Sequence, residues 1–149
     1  MTETDILIRL FAAVIVGGAL GLNRDLHHKA AGIRTIGIVS LASAALVIAA
    51  SGQPPLQPGS IAIAPVIQGL MTGIGFLGAG VIVRGAADGK VIGLTTAAVI
   101  WLAAGFGVLC GLGAWTVLAG GVALSFVLLV LGGPLERWAE RERGGGKNN

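Results

Sequence analysis

The sequence predicts an all-α integral membrane protein, a compact bundle of about five transmembrane helices, and three observations carry that expectation. Hydrophobic residues make up 54% of the 149-residue chain and charged residues only 11%, against about 25% charged in an average soluble domain. The apolar residues fall into runs of the length that crosses a bilayer, about 17 to 25 residues. The charged residues collect between the runs and in the tail. A chain so composed has too little polar surface to face water, and lipid is its expected solvent.

The first run is read from Ile6 to Leu22. A cleaved signal peptide is the competing reading, but it calls for positive charge ahead of the run and small residues at a cleavage site. Here Glu3 and Asp5 precede it and "GLNRD" follows, so a retained helix is expected. Ala13, Gly17 and Gly21 form a small-residue stripe along it. If the helix runs past Leu22, Arg24 shares that stripe and aims into the bundle, where it needs a partner such as Asp25 or Asp88.

The second run, Thr35 to Ala50, follows the loop "NRDLHHKAAGIR" and is stopped by Pro54, Pro55 and Pro58. Arg34 stands at its start, where the helix dipole is unfavourable to a cation. A salt bridge or an anionic group accounts for that placement, and so does plain retention of positive charge on one membrane side.

The third run, Ile61 to Val83, contains "GLMTGIGFLGAGVIVRG". Glycine weakens a helix in water by about 1 kcal/mol relative to alanine, so Gly69, Gly73, Gly75, Gly78 and Gly80 must serve another end. At about 3.6 residues per turn, Gln68, Thr72, Gly75 and Ala79 line one side, with Gly69, Gly73, Phe76 and Gly80 beside them. Ile67, Leu70, Met71, Ile74, Leu77 and Val81 occupy the other, with Gly78 the exception. In lipid, helices associate through close approach over small residues and through interhelical hydrogen bonds, so the glycines trade local propensity for packing. A second reading breaks the helix at "GIGFLGAG" and makes Gln68 and Thr72 ligands.

The fourth run, Val91 to Leu109, repeats the small stripe with Thr96, Ala103, Ala104, Gly107 and Gly111. Trp101 near its middle is expected to pack in the core. The tight "CGLG" makes a helical hairpin of the fourth run and the fifth, Ala114 to Leu131. The chain then divides into a transmembrane domain, 1–132, and a charged tail, 133–149.

Lysine and arginine are retained on the cytoplasmic side. They mark the first loop (Arg24, Lys29, Arg34), the third (Arg84, Lys90) and the tail, while the second and fourth loops are uncharged. The N-terminus is therefore expected outside and the C-terminus in the cytoplasm, with Trp115 and Trp138 near opposite interfaces.

Several function classes find no support. The net charge of +3 lies in short loops and the tail, which suits a membrane face rather than nucleic acid. Cys110 is the single cysteine, which leaves no internal disulfide and no paired metal-ligand spacing. His27 and His28 are adjacent, do not share a helical face, and sit among Arg24 and Lys29, so no metal site is expected. No nucleophile elbow, phosphate loop or His-Glu-x-x-His pattern is present, and Arg9 is near enough to a helix end to snorkel. Neither catalysis nor a cofactor is expected.

The stretches "GGALGLNRDLHHKAAGIRT", "GLMTGIGFLGAGVIVRG" and "VIGLTTAAVIWLAAGFGVLCGLG" resemble, in order and spacing, the membrane domain of the MgtC/SapB family over about Leu7 to Leu131. The resemblance implies a multi-pass protein of the bacterial inner membrane. It also implies a link to growth in low magnesium and, in pathogens, to survival in macrophages. For the virulence members it implies regulation by restraint of the membrane part of ATP synthase. On the family pattern, Arg24, Lys29, Gly32, Arg34 and Thr35 match the first motif, the glycines from Gly73 to Gly80 the second, and Gly93, Thr95, Thr96 and Trp101 the third. Asn23 stands where members often carry a glutamate, leaving Asp25 as the nearest carboxylate. The virulence members also have a soluble C-terminal domain, which "ERWAERERGGGKNN" does not supply.

Magnesium keeps its waters and is held by carboxylates, and the predicted spans contain none, so direct magnesium transport is not expected. The leading expectation is a regulator whose partners are the bilayer and either a second copy or another membrane protein complex, met through Gly17, Gly21, Gly107 and the third-run glycines. The alternative is a small transporter or channel for an ion or small solute, with Gln68, Thr72, Thr95 and Thr96 along the path. A third reading makes Arg24, Lys29 and Arg34 a site for anionic lipid.

Overall fold

A computed structural model describes residues 1–51, 63–84 and 91–144, with side chains throughout except at 83–84 and 135–144. The elements in order are α1 (Glu3–Leu26), α2 (Ile33–Ala50), α3 (Ile63–Val81), β1 (Val83–Arg84), β2 (Val91–Ile92), α4 (Leu94–Leu112) and α5 (Trp115–Gly144). Among the described residues, five helices are long and apolar enough to cross a membrane, α5 contributing Trp115–Pro134. The chain is an all-α bundle. The antiparallel pairing of Val83 with Ile92 and Arg84 with Val91 is a two-residue clasp between α3 and α4.

Helix α2 lies between α1 and α4, while α3 and α5 rest mainly on α4. Small residues set the spacing of the inner three helices. A Cβ on Gly17 would come within 2.6 Å of Ser40 Cβ, and one on Gly21 within 2.5 Å of Ile33 Cα. From the other side, a Cβ on Gly107 would strike the Ser40 carbonyl, and one on Gly111 would reach Val47 Cβ at 2.9 Å. Backbones at this separation gain dispersion contacts that larger side chains would prevent. Around them Leu20, Ile36, Ala44, Ala103 and Cys110 are fully buried.

The ends of the helices are closed by specific groups. Gly113, with φ of +71°, ends α4, and the Ala114 N–H reaches the Leu109 carbonyl at 2.9 Å, a Schellman closure that turns the chain into α5. α1 closes in the same way on a non-glycine residue, His28, at φ +50°, with the Lys29 N–H donating to the Arg24 carbonyl at 3.1 Å. Helix α5 continues through Pro134 and 135–144, so the stretch read as a charged tail from 133 onward is helical as far as Gly144. Proline lacks the N–H that would bond the carbonyl four residues earlier.

Helix α3 runs unbroken from Ile63 to Val81, so "GIGFLGAG" does not interrupt it. Its greasy side is the one turned to the bundle: Ile74 and Gly78 are buried, and Met71 and Val81 join Ile74 against Ile100 and Ala104 of α4. The side carrying Gln68, Gly69, Thr72, Gly73, Gly75, Phe76 and Gly80 faces outward.

Candidate functional site

Two features of the bundle are candidates for function: a polar cleft at the C-terminal end of α1 and the outward small face of α3.

The cleft, about 980 Å³, is bounded by the end of α1 with the loop that follows, the start of α4, and the α5 residues from Leu128 to Pro134. Arg24 forms part of its wall and is only 5% exposed. One guanidinium nitrogen, Nη2, donates to Thr96 Oγ1 in the first turn of α4, while Nε is buried with no hydrogen-bond partner among the described residues. Asn23, His27, His28 and Lys29 extend the wall from α1 and its loop; Gly93 and Thr95 extend it from α4. Asn23 accepts at its backbone carbonyl from His27 Nδ1 at 2.7 Å.

Asp25, a partner considered for Arg24, is occupied elsewhere. Its Oδ2 accepts from the Ile33 N–H at 2.9 Å, capping α2, whose own N-cap Gly32 has no side chain to do so. The Asp25 carboxylate fills the space where a Cβ on residue 32 would stand, so a larger residue than Gly32 would displace the cap. The carboxylate also brings negative charge to a helix N-terminus, opposing the unfavourable placement of Arg34. Asp88, the other partner considered, lies outside the described residues.

Gly93 shapes the α4 side of the cleft. Its φ is +95°, and a Cβ there would collide with the Val81 carbonyl, so the chain passes from the β clasp into α4 only through glycine. Being the N-cap, it offers the first turn of α4 no side-chain acceptor. At the other end of the bundle Arg9 pairs with Asp5 at 3.2 Å and donates from Nη1 to the Gly111 carbonyl at 2.7 Å, which satisfies the C-terminus of α4 rather than leaving the side chain to snorkel.

The outward face of α3 has a different character. Among the described residues, nothing lies within 4 Å of a Cβ placed on Gly69, Gly73, Gly75 or Gly80, whereas Gly78 meets Ala97 Cβ at 3.6 Å. Phe76 on the same face is 81% exposed. Thr72 Oγ1 donates to the Gln68 carbonyl one turn back, at 2.8 Å.

The sequence-predicted residues are therefore divided between places. Arg24, Lys29, Thr95 and Thr96 meet at the cleft. Gly17, Gly21 and Gly107 are internal spacers. Gln68 and Thr72 are on the far side of α3, away from Thr95 and Thr96. Arg34 and Thr35 are exposed at the start of α2, and Trp101 is 53% exposed on the outer side of α4, not packed in the core, because α2 already occupies the small-residue face of α4. Sequence reasoning missed the roles of Asp25 and Arg9 as helix caps and the convergence of Arg24 with Thr96.

Five helices among the described residues that are long and apolar enough to cross a membrane define a multi-pass membrane protein. Residues 10–138 match the MgtC family, and the chain belongs to it. It is 41% identical over 107 residues to Protein MgtC of Salmonella typhimurium, covering 72% of this chain and 43% of that protein. It is 40% identical over 134 residues to Protein SrpB of Synechococcus elongatus, covering 84% of this chain and 72% of that one. Protein MgtC of Brucella abortus is 40% identical over 105 residues, or 70% of this chain and 41% of the relative. The chain thus spans less than half the length of these MgtC proteins. No solved structure matches it.

Proposed function

We propose that the chain is a regulatory protein of the bacterial inner membrane that acts by helix contact, docking the outward face of α3 on a transmembrane helix of the membrane part of ATP synthase. The partner and the link to low-magnesium adaptation follow from the family resemblance. The observation that carries the reading is the glycine row itself. Among the described residues, nothing lies within 4 Å of a Cβ placed on Gly69, Gly73 or Gly80, and a helix with small residues spaced by four is suited to close approach by another helix. Gln68 and Thr72 flank the row as interhelical hydrogen-bonding groups. The separation of Gln68 and Thr72 from Thr95 and Thr96 weighs against a common transport path through all four. In this reading the protein acts without catalysis, with its C-terminus in the cytoplasm as the charge distribution favours.

The test is a photo-crosslinker at Thr72 in cells expressing the protein at native level, with Leu124 on α5 as the control position. Adducts with ATP synthase membrane subunits from Thr72 alone, lost in Gly73→Leu, are the expected result. Gly73→Leu is informative because no part of the described chain touches that position; its unfolding temperature should match wild type. Adducts only between two copies would overturn the reading and make α3 a homo-oligomer seam.

A further inference from the structure

We infer that the cleft between α1, α4 and α5 is a binding site for a phosphate-bearing anion, held between the Arg24 guanidinium and the first turn of α4. The inference is independent of what docks on α3.

The first argument is charge. Arg24 is 95% removed from solvent, given its 5% exposure, and the carboxylate of its neighbour Asp25 is bonded to the Ile33 N–H. Among the described residues the one ion pair in the chain is Arg9 with Asp5, at the opposite end of α1. A guanidinium buried among helices is costly to desolvate unless something pairs with it. Thr96 supplies a neutral acceptor to Nη2 but no charge, and Nε is left without a partner among the described residues.

The second argument is the helix terminus. The first N–H groups of a helix have no intrahelical acceptor and carry the positive end of its dipole. In α4 the N-cap is Gly93, with no capping side chain, and Gly93, Thr95 and Thr96 all face the cleft. A buried guanidinium from one helix and the uncapped N-terminus of another thus border one space, with Lys29 also on its wall. That combination of a planar fork and helix amides is the chemistry that recognises phosphate oxygens.

The third argument is shape. At about 980 Å³ the cleft has room for a headgroup, and the α5 segment from Leu128 to Val130 gives it an apolar wall. The phosphate belongs either to an anionic phospholipid, whose chains would follow that wall, or to a soluble phosphate.

The experiment uses the full chain in phosphatidylcholine nanodiscs, in two arms. In one, phosphatidylglycerol is added and the lipids retained after mild extraction are counted by native mass spectrometry. In the other, inorganic phosphate is titrated by calorimetry with chloride as the reference anion. Selective retention of phosphatidylglycerol assigns a lipid source; phosphate heat assigns a soluble one; either supports the site if Arg24→Gln weakens it by about tenfold or more, as losing a charged hydrogen bond does. Lys29→Gln, an exposed change that leaves the bundle intact, should weaken the same ligand several-fold and keeps the test open should Arg24→Gln fail to fold. No preference in wild type for either phosphate probe overturns the proposal. So does a preference that survives both substitutions, or one that emerges only in Asp88→Asn, which would make Asp88 the counterion of Arg24.

Discussion

Gly107 stands against the backbone carbonyl of Ser40 so closely that the two helices carrying them have no room for one added methyl, and a Cβ at 107 would also reach Ser43 Cβ at 2.7 Å. Glycine in this bundle therefore has two distinct uses, and stability measurements separate them. Gly107→Ala is expected to destabilise the protein by about 1–3 kcal/mol through overpacking. Gly73→Ala, with open space at its Cβ, is expected to change stability by less than about 1 kcal/mol, in the stabilising direction. Denaturation in mixed micelles, followed by circular dichroism, checks both.

Thr96 is the only hydrogen-bonded partner of the Arg24 side chain among the described residues. Thr96→Val keeps the shape and removes the acceptor, and is expected to cost about 1–3 kcal/mol because a buried donor is left unsatisfied. Thr96→Ser restores the oxygen and should recover most of the loss. Thermal unfolding of the three proteins in one detergent decides it; equal stability of Val and Thr would mean that the hydroxyl contributes nothing.

Asp25 caps a helix eight residues further along the chain. Asp25→Ala should cost about 1 kcal/mol, the usual worth of an N-cap, with Asp25→Asn falling between. The local readout is hydrogen exchange at the Ile33 amide, which should speed up in Asp25→Ala and leave amides in the middle of α2 unchanged.

Gly93→Ala forces an L side chain into φ +95° and onto the Val81 carbonyl. A loss of about 1–3 kcal/mol is expected from the backbone strain alone. Because the strain lies at the junction of the β clasp with α4, accelerated exchange should appear first in the opening turn of α4.

How much of this was legible in the sequence depends on the kind of force involved. The stripe of Ala13, Gly17 and Gly21 and the alignment of Arg24 with it follow from helical periodicity, which acts within one element. The same holds for Ala103, Ala104, Gly107 and Gly111, all buried. Which face of α3 turns inward was not legible, because lipid and bundle interior are equally apolar and hydropathy does not distinguish them. The Asp25 cap depends on a loop in which His28 and Ala31 both take positive φ, at +50° and +59°, a conformation local preference rules would not assign to them. The continuation of α5 past "GGP" defeats the usual stop signal, since Gly and Pro are tolerated in membrane helices where neighbouring groups compensate. The contact of Arg24 with Thr96 joins residues 72 apart, beyond the reach of any local rule.

The arginines at the two ends of α1 carry a mechanical consequence. Arg9 holds the end of α4 at Gly111 and Arg24 holds its start at Thr96, and on each helix the two attachment points are fifteen residues apart, about 22 Å at about 1.5 Å of rise per residue. Two antiparallel rods pinned at matching points resist sliding: a shift of one helical turn, about 5.4 Å, would break both pins together. Sliding of α1 along α4 therefore costs two hydrogen bonds at once, whereas a shift of α3 or α5, which rest on α4 from outside, leaves both pins intact.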